Sequence, residues 1–184
     1  YRRSSASAEV SADWVAGRLP AGARVLDLGG GHGRYAEAFR ARGFVTTIFD
    51  LPLVIELARE RHGDAFAYRA GNFHQDELGG PYDAVFLSNI VHGESPAANA
   101  ALVARVARAL APGGVVVFKD MFLDEQGREP ENAVFFGLTM LFYTAGGRSH
   151  GLADVAAWCR EAGLEAPEAV GVDTFTLVFA QKPK

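Results

Sequence analysis

A short apolar strand running straight into a glycine loop, RVLDLGGGHG at residues 24–33, constrains this chain more than any other feature. Glycines at 29, 30, 31 and 33 remove Cβ atoms where the backbone must turn sharply and approach a ligand, and Asp27 stands just before the turn. Residues 34–42 then read as a helix aimed back at the loop, an arrangement suited to a nucleotide-type cofactor. In open α/β sheets such a ligand lies beyond the carboxyl ends of the strands, where this first strand delivers its glycines.

Four further runs of aliphatic and aromatic residues, 45–49, 66–70, 84–88 and 115–118, join 25–28 as buried parallel strands. Helical patterns alternate with them at 35–42, at 53–61 after Pro52, and at 97–110 after Ser95 and Pro96. This alternation predicts an α/β fold with a doubly wound, mostly parallel sheet. The APGG stretch at 111–114 reads as the stop of the last long helix. After it come an apolar segment at 133–143, a break at Gly146 and Gly147, a helix over 152–162, and strand signals at Val170 and 175–180 that close the sheet with an antiparallel hairpin. No internal repeat or linker interrupts the 184 residues, and with 49% hydrophobic residues they are expected to form one domain.

A formal net charge of -4 with scattered Lys and Arg gives no basic footprint for nucleic acid. No apolar run is long enough to span a membrane, and the N-terminus lacks a signal-peptide core. A lone Cys159 excludes an intramolecular disulfide and reads as a buried helix thiol, so a reducing, cytoplasmic location is expected. Five His without an i,i+4 pair predict no metal requirement.

The second strand ends in Asp50, about 20 residues after the first glycine, where an acid suits the ribose hydroxyls of dinucleotide and adenosyl cofactors alike. The dinucleotide pattern fits only as Gly31, Gly33 and Ala36, two residues late, and the natural frame from Gly29 puts Arg34 where a small residue is needed. The frame Asp27, Gly29, Gly31, Gly33 suits S-adenosylmethionine (SAM) instead, whose amino acid moiety, not a pyrophosphate, meets the loop.

Read in order, FDLP at 49–52, GNF at 71–73, IVH at 90–92, LAPGG at 110–114 and GGR at 146–148 resemble the catalytic domain of the SAM-dependent O-methyltransferases of plant caffeic acid and bacterial polyketide-tailoring type. The resemblance implies a class I, Rossmann-like SAM-methyltransferase fold and methyl transfer to a hydroxyl of an aromatic or polyketide-like small molecule, chemistry of secondary metabolism. It also implies that Asp27, Gly29, Gly31 and Gly33 surround the methionine end of SAM, Asp50 and Leu51 its ribose, and Asn72 and Phe73 its adenine. The family usually has Asp where Asn72 stands. Ser88 is assigned to the cofactor and Asn89 to the substrate side; as residues, both equally suit a polar strand end capping a turn. The resemblance further implies a homodimer and an N-terminal helical dimerisation domain, which this chain starts too late to contain.

A phenol with a pKa near ~10 attacks poorly until its proton leaves, so methyl transfer calls for a base near neutral pH and for alignment. His92 aligns with the family's catalytic His, although GE follows it here in place of DW. Asp120 matches the acid that orients that ring, and also suits a simple strand-end cap. Ser149 stands where the family has its second acid, with His150 beside it as a substitute. His32 is expected at the loop, His62 at a helix end and His74 in a polar loop. Segment 133–143 is apolar nearly all round and should be buried, either as ordinary core or as a pocket wall of Phe136, Met140 and Tyr143 for a flat substrate. A SAM-binding relative with non-methyl chemistry, or a catalytically silent subunit, stays open as an alternative.

Overall fold

The computed structural model describes residues 2–124, 126–172 and 175–184, with side chains from residue 6 onward. In chain order the elements are α1 (Arg2–Ala16), β1 (Arg24–Leu28), α2 (Arg34–Ala41), β2 (Val45–Asp50), α3 (Pro52–His62), β3 (Ala67–Ala70), β4 (Tyr82–Ser88), a 3₁₀ turn (Val91–Gly93), α4 (Pro96–Ala109), β5 (Leu110–Asp120), α5 (Glu131–Tyr143), α6 (Leu152–Glu161), β6 (Glu168–Val172) and β7 (Phe175–Gln181). One sheet of order β3-β2-β1-β4-β5-β7-β6 holds every strand. The first five strands pair in parallel, and β7 lies antiparallel between β5 and β6, as the doubly wound reading with a closing hairpin predicts.

Side chains alternate across the pleat, and the two faces carry two cores. Leu26, Leu28, Val85, Leu87, Val116 and Phe118 face α4 and α6, where Trp158 and the buried thiol of Cys159 complete the packing. Val25, Phe86, Val117 and Leu177 face α1 and α2. Both sides of the central strands are therefore dry, which is why these strands read as continuous apolar runs.

Helix α1 carries no strong apolar stripe, so periodicity does not reveal it. Its buried face is Ala8, Ser11, Ala12 and Val15, small residues that let the helix approach the sheet closely. Trp14 sets its ring edge-on to Phe179 at 4.5 Å, and Arg42 reaches across from the end of α2 to Glu9 and Asp13 at 2.8 and 2.7 Å. The APGG stretch follows the end of α4 at Ala109, as a helix stop should, and the next strand begins earlier than residue 115. Leu110 already pairs with Tyr82, and Gly113 and Gly114 exchange backbone hydrogen bonds with Lys182, so the stretch is also the irregular start of β5.

Helix α5 is the larger correction. Only Ala133 is buried, while Phe135, Leu138, Leu141, Phe142 and Tyr143 are exposed, the last two by 80% and 83%. Other helices already cover both sheet faces, so α5 lies beyond the strand ends and touches the chain along one narrow side. Among the described residues, no helix is long and apolar enough to cross a membrane.

Candidate active site

Strand alternation divides the ligand end of the sheet into two sides. Asp27, Ser88 and Lys119 share the parity of Val25, Phe86 and Val117 and project toward α1 and α2; Asp120 shares that of Phe118 and projects the other way. The first side is a cavity of about 410 Å³ between the glycine loop and the ends of β4 and β5, lined by Asp27, Gly29, Gly31, Ser88, Asn89 and Lys119 among others.

The loop is held from three directions. The Gly29 amide donates to the Phe49 carbonyl at 2.8 Å, and the Gly31 amide to Oδ2 of Asp50 at 2.8 Å, while Oδ1 of Asp50 accepts from the Leu51 amide. Behind the loop, His62 at the end of α3 donates from Nε2 to the His32 carbonyl at 2.8 Å. The same ring nitrogen lies 2.9 Å from where a Cβ on Gly33 would stand, and Gly33 has a φ of +82°, so both sterics and backbone require glycine there.

Asp27 is fully buried, and its Oδ2 has no hydrogen-bond partner among the described residues. Burial pushes its carboxyl up to about 7, against the pull of the Ala36 amide and with a smaller push from Asp50. Because the folded value lies above the unfolded one, the folded chain holds this proton longer. Ionisable Asp27 therefore costs stability progressively as pH rises from about 4 to about 7. Asp27→Asn is expected to raise the melting temperature of the ligand-free chain by roughly several degrees at pH 8 and to change it little at pH 4, as differential scanning fluorimetry would show. An equal shift at both pH values would contradict this account.

On the other side of the sheet end, His92 sits in the 3₁₀ turn after β4 and donates from Nδ1 to Asp120, with Oδ1 at 2.8 Å and Oδ2 at 3.0 Å. The Asp120 side chain is 2% exposed and that of His92 17%. Asp120 also accepts from the Met121 amide, which fixes the carboxylate that fixes the ring. With Nδ1–H committed, Nε2 carries the lone pair and can take a proton. The Phe136 ring stands perpendicular to the imidazole, with centroids 4.7 Å apart.

The match to a family model now decides what this arrangement belongs to: the O-methyltransferase domain is matched over residues 15–165. The chain belongs to that family. It is 33% identical to 3-hydroxy-5-methyl-1-naphthoate 3-O-methyltransferase of Streptomyces sahachiroi over 147 residues, 76% of this chain and 42% of that protein. The chain thus spans less than half the length of this relative. Among solved structures, an O-methyltransferase family 2 protein from Planctomyces limnophilus in complex with apigenin superposes with a TM-score of 0.81 at 26% identity, over 98% of this chain and 61% of that one. Human N-acetylserotonin methyltransferase in complex with SAM shares the fold, with a TM-score of 0.85 at 23% identity, over 95% of this chain and 51% of that one. SAM is the cofactor on which the family depends. The residues present fit its polar amino acid moiety, because Asp27 Oδ2 and Ser88 Oγ are both buried beside the glycine loop without partners among the described residues.

Other residues of this O-methyltransferase domain depart from expectation. Asn72 spends its Oδ1 on the His74 amide at 2.9 Å, and its own amide donates to Asp76, so its side chain builds the β3–β4 loop. Phe73 is half-buried close to Gly29 and Ile90, and Leu51 is exposed at the start of α3. Asn89, expected beside the substrate, lines the glycine-loop cavity; with a φ of 57° its left-handed backbone turns the amide to Lys119. Met140 is half-buried. Tyr143 does not join Phe136 in a wall but faces outward, because α5 packs through the side that carries Ala133, Phe136 and Gly137.

Ser149 is buried and bonded to the Ala133 carbonyl, so it anchors α5. His150 is 1% exposed and supports the turn that carries His92 from beneath. Its Nε2 donates to the carbonyls of Val91 and Glu94 at 3.0 and 3.1 Å, its Nδ1 accepts from Arg148, and burial lowers its pKa. Asn99 donates to the same Val91 carbonyl at 2.9 Å. A Cβ on Gly147 would strike the His92 carbonyl, so this glycine lets the loop close on the turn. Gly147→Ala is expected to lower turnover by ~10–100-fold through displacement of His92, with SAM affinity unchanged in calorimetry. The sequence signal for the Asn99 support was weak, an Asn in an Ala- and Val-rich helix.

Proposed function

We propose that this domain transfers a methyl group from SAM to a hydroxyl of a phenolic or polyketide-like small molecule, with His92 as the general base and Asp120 as the acid that orients it. The observation that carries this reading is the two-oxygen contact of Asp120 to His92 Nδ1, on the far side of the strand ends from the glycine loop. It is supported by the naphthoate methyltransferase relative and by the apigenin bound to the Planctomyces protein.

When bound, SAM supplies a methyl group activated by its sulfonium. Asp50, though it accepts from two backbone amides, keeps lone pairs for ribose hydroxyls. Phe136 walls one side of the imidazole and limits water there. His92 takes the hydroxyl proton at Nε2 as the oxygen attacks, and the Asp120 carboxylate stabilises the imidazolium that results. No step asks for a metal.

Titration calorimetry separates this cofactor from its nearest competitor. Binding of SAM without binding of NADH is the expected result, and binding of NADH alone would overturn the reading. Asp50→Ala is expected to weaken SAM by ~10–100-fold, as loss of a charged acceptor does.

A further inference from the structure

Lys119 is 9% exposed at the end of β5, on the opposite face from Asp120. Its Nζ donates to Oδ1 of Asn89 at 2.9 Å and lies 4.9 Å from the centre of the Phe175 ring. An ammonium carries more donors than one amide oxygen can take, and burying a cation is costly unless an anion meets it. Among the described residues, no carboxylate forms an ion pair with it. Asp27 shares the cavity, but burial disfavours its ionised form. Ser88 Oγ and Asp27 Oδ2 add two buried polar atoms in the same space that have no partner among the described residues. A cation, a hydroxyl and a carboxyl converging beside a glycine loop match one kind of ligand end, an amino acid zwitterion.

We infer that Lys119, held by Asn89, binds the carboxylate of the cofactor's amino acid moiety, with Asp27 and Ser88 completing the pocket for that end. The inference rests on reading the cavity as the SAM site. Phe175 shields one side of the ammonium from water and attracts it through the ring face. The left-handed backbone of Asn89 is a strained conformation at the site, which fits its use in aiming the amide at Lys119.

The test compares two ligands that are both uncharged at sulfur: S-adenosylhomocysteine, which has the amino acid, and 5′-methylthioadenosine, which lacks it. Calorimetry on Lys119→Met is expected to show ~10–100-fold weaker binding of S-adenosylhomocysteine and unchanged binding of methylthioadenosine. Asn89→Gly keeps the left-handed backbone and removes only the amide, so it serves as a second variant that leaves the strand core intact. It is expected to weaken S-adenosylhomocysteine severalfold and methylthioadenosine not at all. Equal losses for both ligands, or no loss for S-adenosylhomocysteine in either variant, would overturn the role of Lys119. Failure of the unmodified chain to bind S-adenosylhomocysteine or SAM would overturn the cofactor reading itself, a distinct result.

Discussion

His92→Ala is expected to lower methyl-transfer turnover by ~10²–10⁴-fold while SAM affinity stays within about twofold of the unmodified chain. The imidazole belongs to the turn after β4, on the other side of the sheet end from the glycine-loop cavity. On the proposed mechanism its loss removes the group that accepts the hydroxyl proton and leaves the cofactor's binding residues in place. The split between turnover and affinity is the informative readout, because a merely structural histidine would disturb both or neither. Stopped-time product assays with parallel calorimetry give the two quantities on the same preparation.

The second large effect is expected from Asp120→Asn, with turnover reduced by on the order of 10²–10⁴-fold. The substitution preserves shape and burial but replaces one carboxylate oxygen with an amide NH₂ facing Nδ1. The ring then gains by presenting Nδ1 as an acceptor, which moves its proton to Nε2 and leaves no lone pair for the substrate. Asp120 also accepts from the Met121 amide, and asparagine retains an oxygen for that bond. If the acid acts only through the ring, the double variant with His92→Ala should be no slower than His92→Ala alone. An additive loss would assign Asp120 a separate role.

The sheet was legible from sequence because its central strands are buried on both faces and so read as uninterrupted apolar runs, bounded by glycine, proline and acids. The glycine loop and Asp50 were legible for a related reason: their residue types are imposed by backbone geometry and by hydrogen bonds to the loop itself. The pair His92 and Asp120 could be aligned with a family pattern, but its 2.8 Å contact depends on how β4 and β5 are registered, a long-range fact that local sequence does not carry. Helix α1 was missed because close packing through Ala8, Ser11 and Ala12 leaves no large apolar stripe. For α5, apolarity all round suggested burial, yet burial requires a partner surface, and both sheet faces were already taken. Lys119 was overlooked because which side of the sheet end a residue serves depends on strand parity and on one left-handed residue at the turn.

The central claim is that His92 drives methyl transfer to a phenolic oxygen. It is tested most directly by incubating the chain with SAM carrying a ¹³C-labelled methyl and a panel of hydroxynaphthoates, flavones and related phenols, followed by mass spectrometry and carbon NMR of the products. The account predicts a labelled methyl ether on a phenolic oxygen, formed by the unmodified chain and nearly abolished in His92→Ala. Label arriving on carbon or nitrogen, or an undiminished yield from His92→Ala, would contradict it.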